Sequence, residues 1–476
     1  MRNDTAFYID GSWIEAADRP SIDVVNPATE EVVGKIACGT AADVDRAVSA
    51  AKTAFRTFSL TTRTERLDLL GSVLQTYVKR RQDLADALVE ELGAPAQFAF
   101  DLQAGVGALH IMTAIEALKT FVFERREGPR TLVRHEPIGV IGMITPWNWP
   151  INQILCKIVP ALATGNTMVH KPSEITPLTA HIIAEILDEA GVPKGVYNLI
   201  DGTGKEVGAA ISAHPDIAMV SFTGSTGAGI DVAKRAADSV KRVHQELGGK
   251  SPNVVLPSAD LGKAVTENIY RLMLNSGQTC HAPTRLLVPA EQLEEAKAIA
   301  ANVTASITVG DPRSEAYMGP LVSDLQRKRV TDFIQKGIDE GATLVAGGVG
   351  APEGLNKGFY VRPTVFADVR RDMTIVKEEI FGPVLVIQSY TDIEDAVAIA
   401  NDTIYGLAAY VQAATDDEAA AVAARIEAGM IYLNGAGEDP LAPFGGYKMS
   451  GNGREWGEIA FREFLEVKAL IRNEAA

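Results

Sequence analysis

The sequence predicts an α/β protein built on a parallel, doubly wound sheet, followed by a second α/β unit and a small β arm. Three observations carry this. From Ile138 onward, short apolar runs alternate with turn residues and amphipathic stretches, the strand–turn–helix pattern that specifies a parallel sheet. The chain has 476 residues, too many for one ordinary core, so two or three units are expected. Each apolar run also ends in a polar or glycine-rich motif, at the carboxyl end of a strand, where such sheets bind ligands.

Taken in order, residues 7–36 predict short strands, with Asp10-Gly11 as a hairpin turn and Asn26-Pro27 as a second break. Thr40-Ala-Ala-Asp43 is a capping-box-like start for an amphipathic helix to about Phe58. Thr62-Arg-Thr-Glu65 opens another, with Leu67, Leu70, Leu74 and Val78 at helical spacing, and a further helix ends near Gly93-Ala-Pro95. Residues 101–124 predict one more helix. The stretch 128–137, alternating between Pro129 and Pro137, predicts an exposed strand pair. Buried strands then follow over 138–144, 167–170, 196–200 and 218–222. They lead into Thr145-Pro-Trp-Asn-Trp-Pro150, Lys171-Pro-Ser-Glu174, Asp201-Gly-Thr-Gly204 and Thr223-Gly-Ser-Thr-Gly-Ala-Gly229, each opening a helix. After Gly249 the pattern predicts helices over 261–275, 291–306 and 324–340, and strands over 284–289, 343–345 and 384–390. Thr391-Asp-Ile-Glu394 caps a further helix. The tail, 466–472, alternates like an exposed strand, whose edge would be covered by another subunit.

Composition excludes some functions. A net charge of −16 argues against a nucleic-acid or anionic-membrane partner. Three scattered cysteines, Cys38, Cys156 and Cys280, make no disulfide framework and suit a reducing compartment. The start has no apolar signal core and no run looks long enough to cross a bilayer, so a cytoplasmic protein is expected. No metal site, internal repeat or low-complexity tract is read.

The stretch 275–285 places Cys280 between Gly277 and Pro283, just before the buried run 286–288. Such a turn can present a thiol into a cleft, but only an activated thiolate attacks, and most lone cysteines are inert core residues. Gly202 and Gly204, or Gly224, Gly227 and Gly229, are either helix-start turns or phosphate contacts, and neither set matches the dinucleotide fingerprint. Lys171 and Glu174 either meet ribose hydroxyls or form a solvated helix start. Glu246, beside Leu247-Gly248-Gly249, sits either at a helix C-terminus or where small residues allow close approach. Asn148 is either a turn residue or an amide donor for an oxyanion. His281 invites a Cys–His pair, yet neighbours on a strand point to opposite faces, which makes it a pocket wall rather than the base.

Together these stretches resemble the aldehyde dehydrogenase superfamily along almost the whole chain. The motifs are Pro-Trp-Asn-Trp-Pro at 146–150, Lys-Pro-Ser-Glu at 171–174, Phe-Thr-Gly-Ser-Thr at 222–226 and Glu-Leu-Gly-Gly-Lys at 246–250. Gly-Gln-Thr-Cys at 277–280, Glu-Glu-Ile-Phe-Gly-Pro-Val at 378–384 and Pro-Phe-Gly-Gly-Tyr-Lys at 443–448 complete them. The resemblance implies Cys280 as nucleophile, Glu246 as general base, and Asn148 with the Cys280 N–H as oxyanion hole. Lys157 and Glu455 match a buried pair associated with proton relay. It implies NAD, or NADP, as cofactor. Lys171 and Glu174 would meet the adenosine ribose, Ser225 the pyrophosphate, and Glu379 and Phe381 the nicotinamide ribose and ring. Thr145, Trp147, Ser173, Gly204, Gly208, Thr223, Gly224 and Leu247 fall in the same site. A carboxylate at Glu174 would repel a 2′-phosphate and favour NAD, with Lys171 softening the preference.

The implied fold has a Rossmann-like cofactor domain (1–117 and 138–249) and an α/β catalytic domain (250–455). A β oligomerisation arm (118–137 and 456–476) would meet a partner's tail in a homodimer or homotetramer. The glutamate at 246 favours hydrolysis over transfer to CoA. The matching tunnel wall is Trp149, Gln153, Cys156, Thr279, His281 and Phe444, with no arginine to grip a carboxylate. Cys156 stands where the family often carries a bulky aromatic and would widen the tunnel. This suggests a medium-sized aliphatic or aromatic aldehyde as the small-molecule substrate. Two other classes remain: a Cys–His hydrolase working on esters without a nicotinamide, and a binding member, which would have lost Cys280 or Glu246.

Overall fold

The computed structural model describes residues 2–16 and 18–473, and within them most strands form two large sheets. The first runs Gly451–Asn452, Arg242–Glu246, Met219–Thr223, Val140–Ile144, Thr167–Lys171, Tyr197–Leu199, Ala6–Ile9, Ser12–Glu15. Its five central strands are parallel, and antiparallel strands close both ends. Val140–Ile144, Thr167–Lys171 and Met219–Thr223 are buried throughout, as strands covered by helices on both faces must be. The helix Pro150–Thr164, buried along its whole length, starts on a proline whose missing N–H costs nothing there and ends on Gly165 at φ 83°.

The second sheet runs Thr343–Ala346, Thr364–Ala367, Val384–Tyr390, Arg285–Pro289, Pro252–Val255, Ala408–Gln412, Met430–Leu433, parallel except at its first pair. A third, antiparallel sheet joins Leu465–Ile471, Thr131–Pro137 and Glu124–Glu127.

Several expectations are corrected. The helix expected over 101–124 is Gly105–Thr120, entered through a π-helical turn at Ala99–Gln103, and Glu124–Glu127 belongs to the arm. By length and apolarity the continuous helical run 96–120 would reach across a bilayer, contrary to the sequence reading; its Ile111, Ala114 and Leu118 instead join the main core. The helix Arg63–Lys79 buries Arg66, Leu70, Val73 and Tyr77 and leaves Val78 outside. Its inner face is turned because the polar tips find partners indoors: Tyr77 donates to the Ala104 carbonyl at 2.6 Å and Arg66 to that of Ser59 at 3.0 Å. The tail strand, expected to seek a partner's arm, pairs along its full length with Thr131–Pro137 of its own chain. Glu246 ends a strand rather than a helix.

Candidate active site

Cys280 sits on a backbone held in an uncommon shape. After the helix Leu261–Met273, Asn275, Ser276 and Gly277 take φ of 53°, 56° and 72°, a left-handed run that side chains resist. Gly277 is required: a Cβ there would lie 2.2 Å from the Gly382 backbone. The two non-glycine residues are held by hydrogen bonds. Asn275 Nδ2 donates to the Asn148 carbonyl at 2.9 Å and the Gln278 carbonyl at 3.2 Å, and Ser276 Oγ donates to Gly319 O at 2.8 Å. Asn148 Nδ2 donates to Gln278 O at 3.0 Å, and Gln103, on the π-helical turn, donates to the Asn148 carbonyl at 3.2 Å. Asn148 is thereby fixed beside the cysteine loop with one amide hydrogen still to give.

Cys280 borders a cleft of about 190 Å³, also lined by Trp147, Asn148, Gln153, Thr223, Gly224, Ser225, Leu247, Glu379 and Phe381. Burial pushes the thiol far above its usual range, and the carboxylates of Glu379 and Glu246 add to this. Glu246 is 2% exposed, and neither carboxylate oxygen finds a hydrogen-bond partner among the described residues. Burial first, then the Glu455 charge, raises its carboxyl well above the ordinary value. Behind it Lys157 is ion-paired with Glu455, while the Cys156 thiol donates to the other Glu455 oxygen at 3.2 Å. Burial would raise Glu455, but Lys157, His244 and the Cys156 thiol together hold it below the usual range. Gly445 leaves room for Glu246, since a Cβ would come within 2.7 Å of its Oε1.

On the other side of the cleft, Glu379 Oε1 accepts the Gly249 N–H at 2.9 Å, and the bare Gly248 leaves room for that carboxylate, which a Cβ would meet at 2.3 Å. Phe381, at φ 61°, stands edge-on to Trp147 with centroids 5.3 Å apart. The helix Asp324–Asp339 holds this loop: Gln326 donates to Phe381 O at 2.7 Å and Arg329 to Glu379 O at 2.9 Å. Ser225 caps the helix Thr226–Ala236, whose free N–H groups open toward the cleft. Farther along the same sheet edge, and outside the cleft itself, Lys171 pairs with Glu174 at 2.9 Å and Ser173 Oγ accepts from Ile175 at 3.2 Å. Thr145 Oγ1 meets His170 Nε2 at 2.9 Å, and Gly204–Gly208 forms a π-helical turn, a Cβ on Gly208 passing 3.8 Å from Lys171.

Of the residues expected to wall a substrate tunnel, Gln153 lines the cleft itself, and the others lie around Cys280. Trp149 Nε1 donates to Thr279 Oγ1 at 2.9 Å, and Phe444 lies edge-on to His281 at 5.7 Å. Cys156 packs with Leu407, Phe444 and Trp456, its thiol turned to Glu455. Residues 280 and 281 lie in a turn, and the strand begins only at Arg285. Opposite faces are therefore not enforced on the two side chains, and His281 Nδ1 stands 4.0 Å from Cys280 Sγ. Gln103, Gln326 and Arg329 are supports that the sequence left unmarked, and Asn275 and Gln278 support the cysteine stretch, where the sequence assigns them no role. They act through side chain to backbone bonds between segments far apart in the chain, and only Asn275, a residue type that tolerates left-handed backbone, carried a local hint.

Comparison with known proteins agrees with this geometry. Residues 13–470 match the model of the aldehyde dehydrogenase family. A 3-succinoylsemialdehyde-pyridine dehydrogenase from a Pseudomonas species is 49% identical over the full length of both chains. A mutant of aldehyde dehydrogenase C from Pseudomonas syringae, solved with NAD+ and octanal, superposes with a TM-score of 0.97 at 50% identity, covering 98% of this chain and 96% of that one. The Mycobacterium tuberculosis aldehyde dehydrogenase complexed with NAD+ gives 0.97 at 39% identity, covering 100% and 99%. With its α/β fold, its cleft and these matches, the chain belongs to the aldehyde dehydrogenase family.

Proposed function

We propose that the cleft oxidises an aldehyde to its carboxylic acid with NAD, through covalent adducts on Cys280. One observation carries the reading: a half-buried thiol and an amide with a hydrogen to spare meet at one cleft, with a buried carboxylate nearby that has no hydrogen-bond partner among the described residues. The cleft suits a dinucleotide. Thr223 Oγ1 and Gln153 Oε1 line it without partners among the described residues, a helix N-terminus opens into it, and Gly248 keeps it clear. Trp147, Leu247, Glu379 and Phe381 would hold the nicotinamide end, and Lys171, Ser173 and Glu174, with Thr145, Gly204 and Gly208, the adenosine end.

An aldehyde gives up hydride only after a nucleophile adds to its carbonyl. Cys280 Sγ adds, and Asn148 with the Cys280 N–H stabilises the oxyanion; such donors contribute about 3–4 kcal/mol. The chemistry that NAD supplies when bound is acceptance of the hydride that leaves this carbon. A thioester remains on Cys280. Glu246 then takes a proton from water, hydroxide attacks the thioester and the acid departs. The proton leaves through Lys157 and Glu455, which stand behind Glu246. Trp149, Thr279, His281 and Phe444 shape the entrance for a medium-sized aliphatic or aromatic aldehyde.

The division into cofactor, catalytic and arm units belongs to this proposal, as does assembly into a homodimer or homotetramer. The tail strand still offers one free edge, with Val467 and Ile471 exposed at 66% and 71%. NADH formation measured over straight-chain and aromatic aldehydes, with NAD and NADP in parallel, tests the function. We expect turnover with NAD and a weaker rate with NADP, because a carboxylate at Glu174 would repel a 2′-phosphate. No NADH from any aldehyde, with ester cleavage instead, would point to a Cys–His hydrolase.

A further inference from the structure

Beside Cys280 lies a chain of polar groups that carries no proton in the steps above. His281 Nδ1 is 4.0 Å from Sγ, and its other nitrogen, Nε2, is 3.1 Å from Glu438 Oε1. The second oxygen of Glu438 accepts the Tyr432 hydroxyl at 2.5 Å. His281 is held from several directions. Tyr410 donates to the His281 carbonyl at 2.9 Å, the Tyr432 ring stacks on the imidazole at 6.2 Å, and Phe444 closes the edge. Arg271 lies over both tyrosine rings at 5.0 and 5.2 Å. A carboxylate at Nε2 fixes the tautomer: Nε2 carries the hydrogen and Nδ1 presents its lone pair toward sulfur. Nucleophile, base and orienting acid in contact is the arrangement by which buried nucleophiles are activated.

The geometry points to His281, oriented by Glu438, as the base that takes the Cys280 thiol proton. This rests on Cys280 being the nucleophile, and it divides the labour: His281 serves the sulfur, Glu246 the water. In the step, the S–H bond breaks, its electron pair stays on Sγ, and the proton moves to Nδ1. The imidazolium is balanced by Glu438 and the thiolate adds to the aldehyde. When hydrolysis releases the thiolate, Sγ recovers the proton from Nδ1 and the cycle closes without gain or loss of electrons. The contact lengthened to 4.0 Å is of the kind that tightens when substrate binds. The charged and titratable groups around the pair are Glu438 and Tyr432 beyond the imidazole, Tyr410 and Arg271 beside it, and Glu379 and Glu246 across the sulfur. The last two oppose ionisation, so the thiol needs a base of its own. Glu438 holds the charge that this orienting role requires. His281 and the Tyr432 hydroxyl bring it down to about 2, so it stays an anion.

The test is the pH dependence of Cys280 alkylation by iodoacetamide in the full protein, read as mass gain on the peptide holding Cys280. The neutral reagent reports the thiolate fraction. In His281→Asn the reactive limb should move up by about one pH unit or more, a loss of about 10-fold at neutral pH, since the thiolate fraction changes tenfold per unit. Glu438→Gln, which keeps the shape, should move it the same way by less. Glu246→Gln only removes a negative charge near sulfur and should leave the limb in place or lower it. A wild-type profile in both His281→Asn and Glu438→Gln overturns the assignment, as does an upward shift in Glu246→Gln. Failure of the underlying reading looks different: alkylated Cys280 would then leave turnover intact.

Discussion

Glu91 and Glu246 are both carboxylates sealed inside the first α/β unit, at 0% and 2% exposure, and their surroundings could hardly differ more. Glu91, ending the helix Arg81–Glu91, accepts the backbone N–H groups of Leu178 and Thr179 at 2.6 and 3.0 Å and the Thr179 hydroxyl at 2.7 Å. It therefore caps the first turn of the helix Leu178–Glu189, whose N–H groups would otherwise be orphaned. Glu246 accepts nothing among the described residues. Burial raises both carboxyls, Glu91 to about 7 against the pull of its donors, but only one is compensated. A buried acid surrounded by donors serves the fold; one left without them costs stability and is retained for what a ligand or water does with it.

The comparison breaks or sharpens under substitution. The largest effect belongs to the thiol: Cys280→Ala should leave no measurable aldehyde oxidation, with the melting temperature and NAD binding by calorimetry unchanged, because Sγ serves only chemistry. Asn148→Ala should lower kcat by about 100- to 1,000-fold, the scale for an oxyanion donor. A modest drop in melting temperature should accompany it, since its bond to Gln278 is lost. Glu91→Ala should do the reverse, costing about 3 kcal/mol or more in chemical denaturation because three buried donors lose their acceptor, while kcat of the folded fraction holds. The smallest effect is the pH dependence of Glu91. Its folded-state carboxyl is raised to about 7, so the folded form binds more protons than the unfolded one from the ordinary carboxylate range up to that point. Its contribution should weaken as pH rises through that window, and Glu91→Gln should remove this slope while keeping one acceptor.

Much of the molecule was legible before the structure. The strand 140–144 is an unbroken apolar run, 167–171 and 219–223 are short mixed runs that lead into turn motifs, and the capping box at Thr40 marked a helix start to the residue. The strand that carries Glu246 was not, because Arg-Val-His-Gln-Glu has no apolar periodicity; it is a strand through its parallel ladder with Met219–Thr223. Thr364–Ala367 and Ala408–Gln412 escaped for being short and built partly of small or polar residues. At the site, family motifs marked Cys280, Glu246 and Asn148. The left-handed run at 275–277 and the approach of Glu438 to His281 depend on tertiary contacts that no local spacing encodes.

The central claim is that the orphaned carboxylate of Glu246 exists to activate water, and single-turnover kinetics of Glu246→Gln test it most directly. Hydride transfer precedes deacylation, so rapid mixing with NAD and aldehyde should give a burst of about one NADH per active site. Steady turnover should fall by about 100-fold or more, the scale for losing a positioned base, and acyl mass should accumulate on the Cys280 peptide. In the wild type, turnover should rise with pH through a carboxyl titration above the ordinary glutamate range, since only the anion accepts a proton, and the variant should lose that limb. A variant that keeps both its burst and its steady rate would contradict the account.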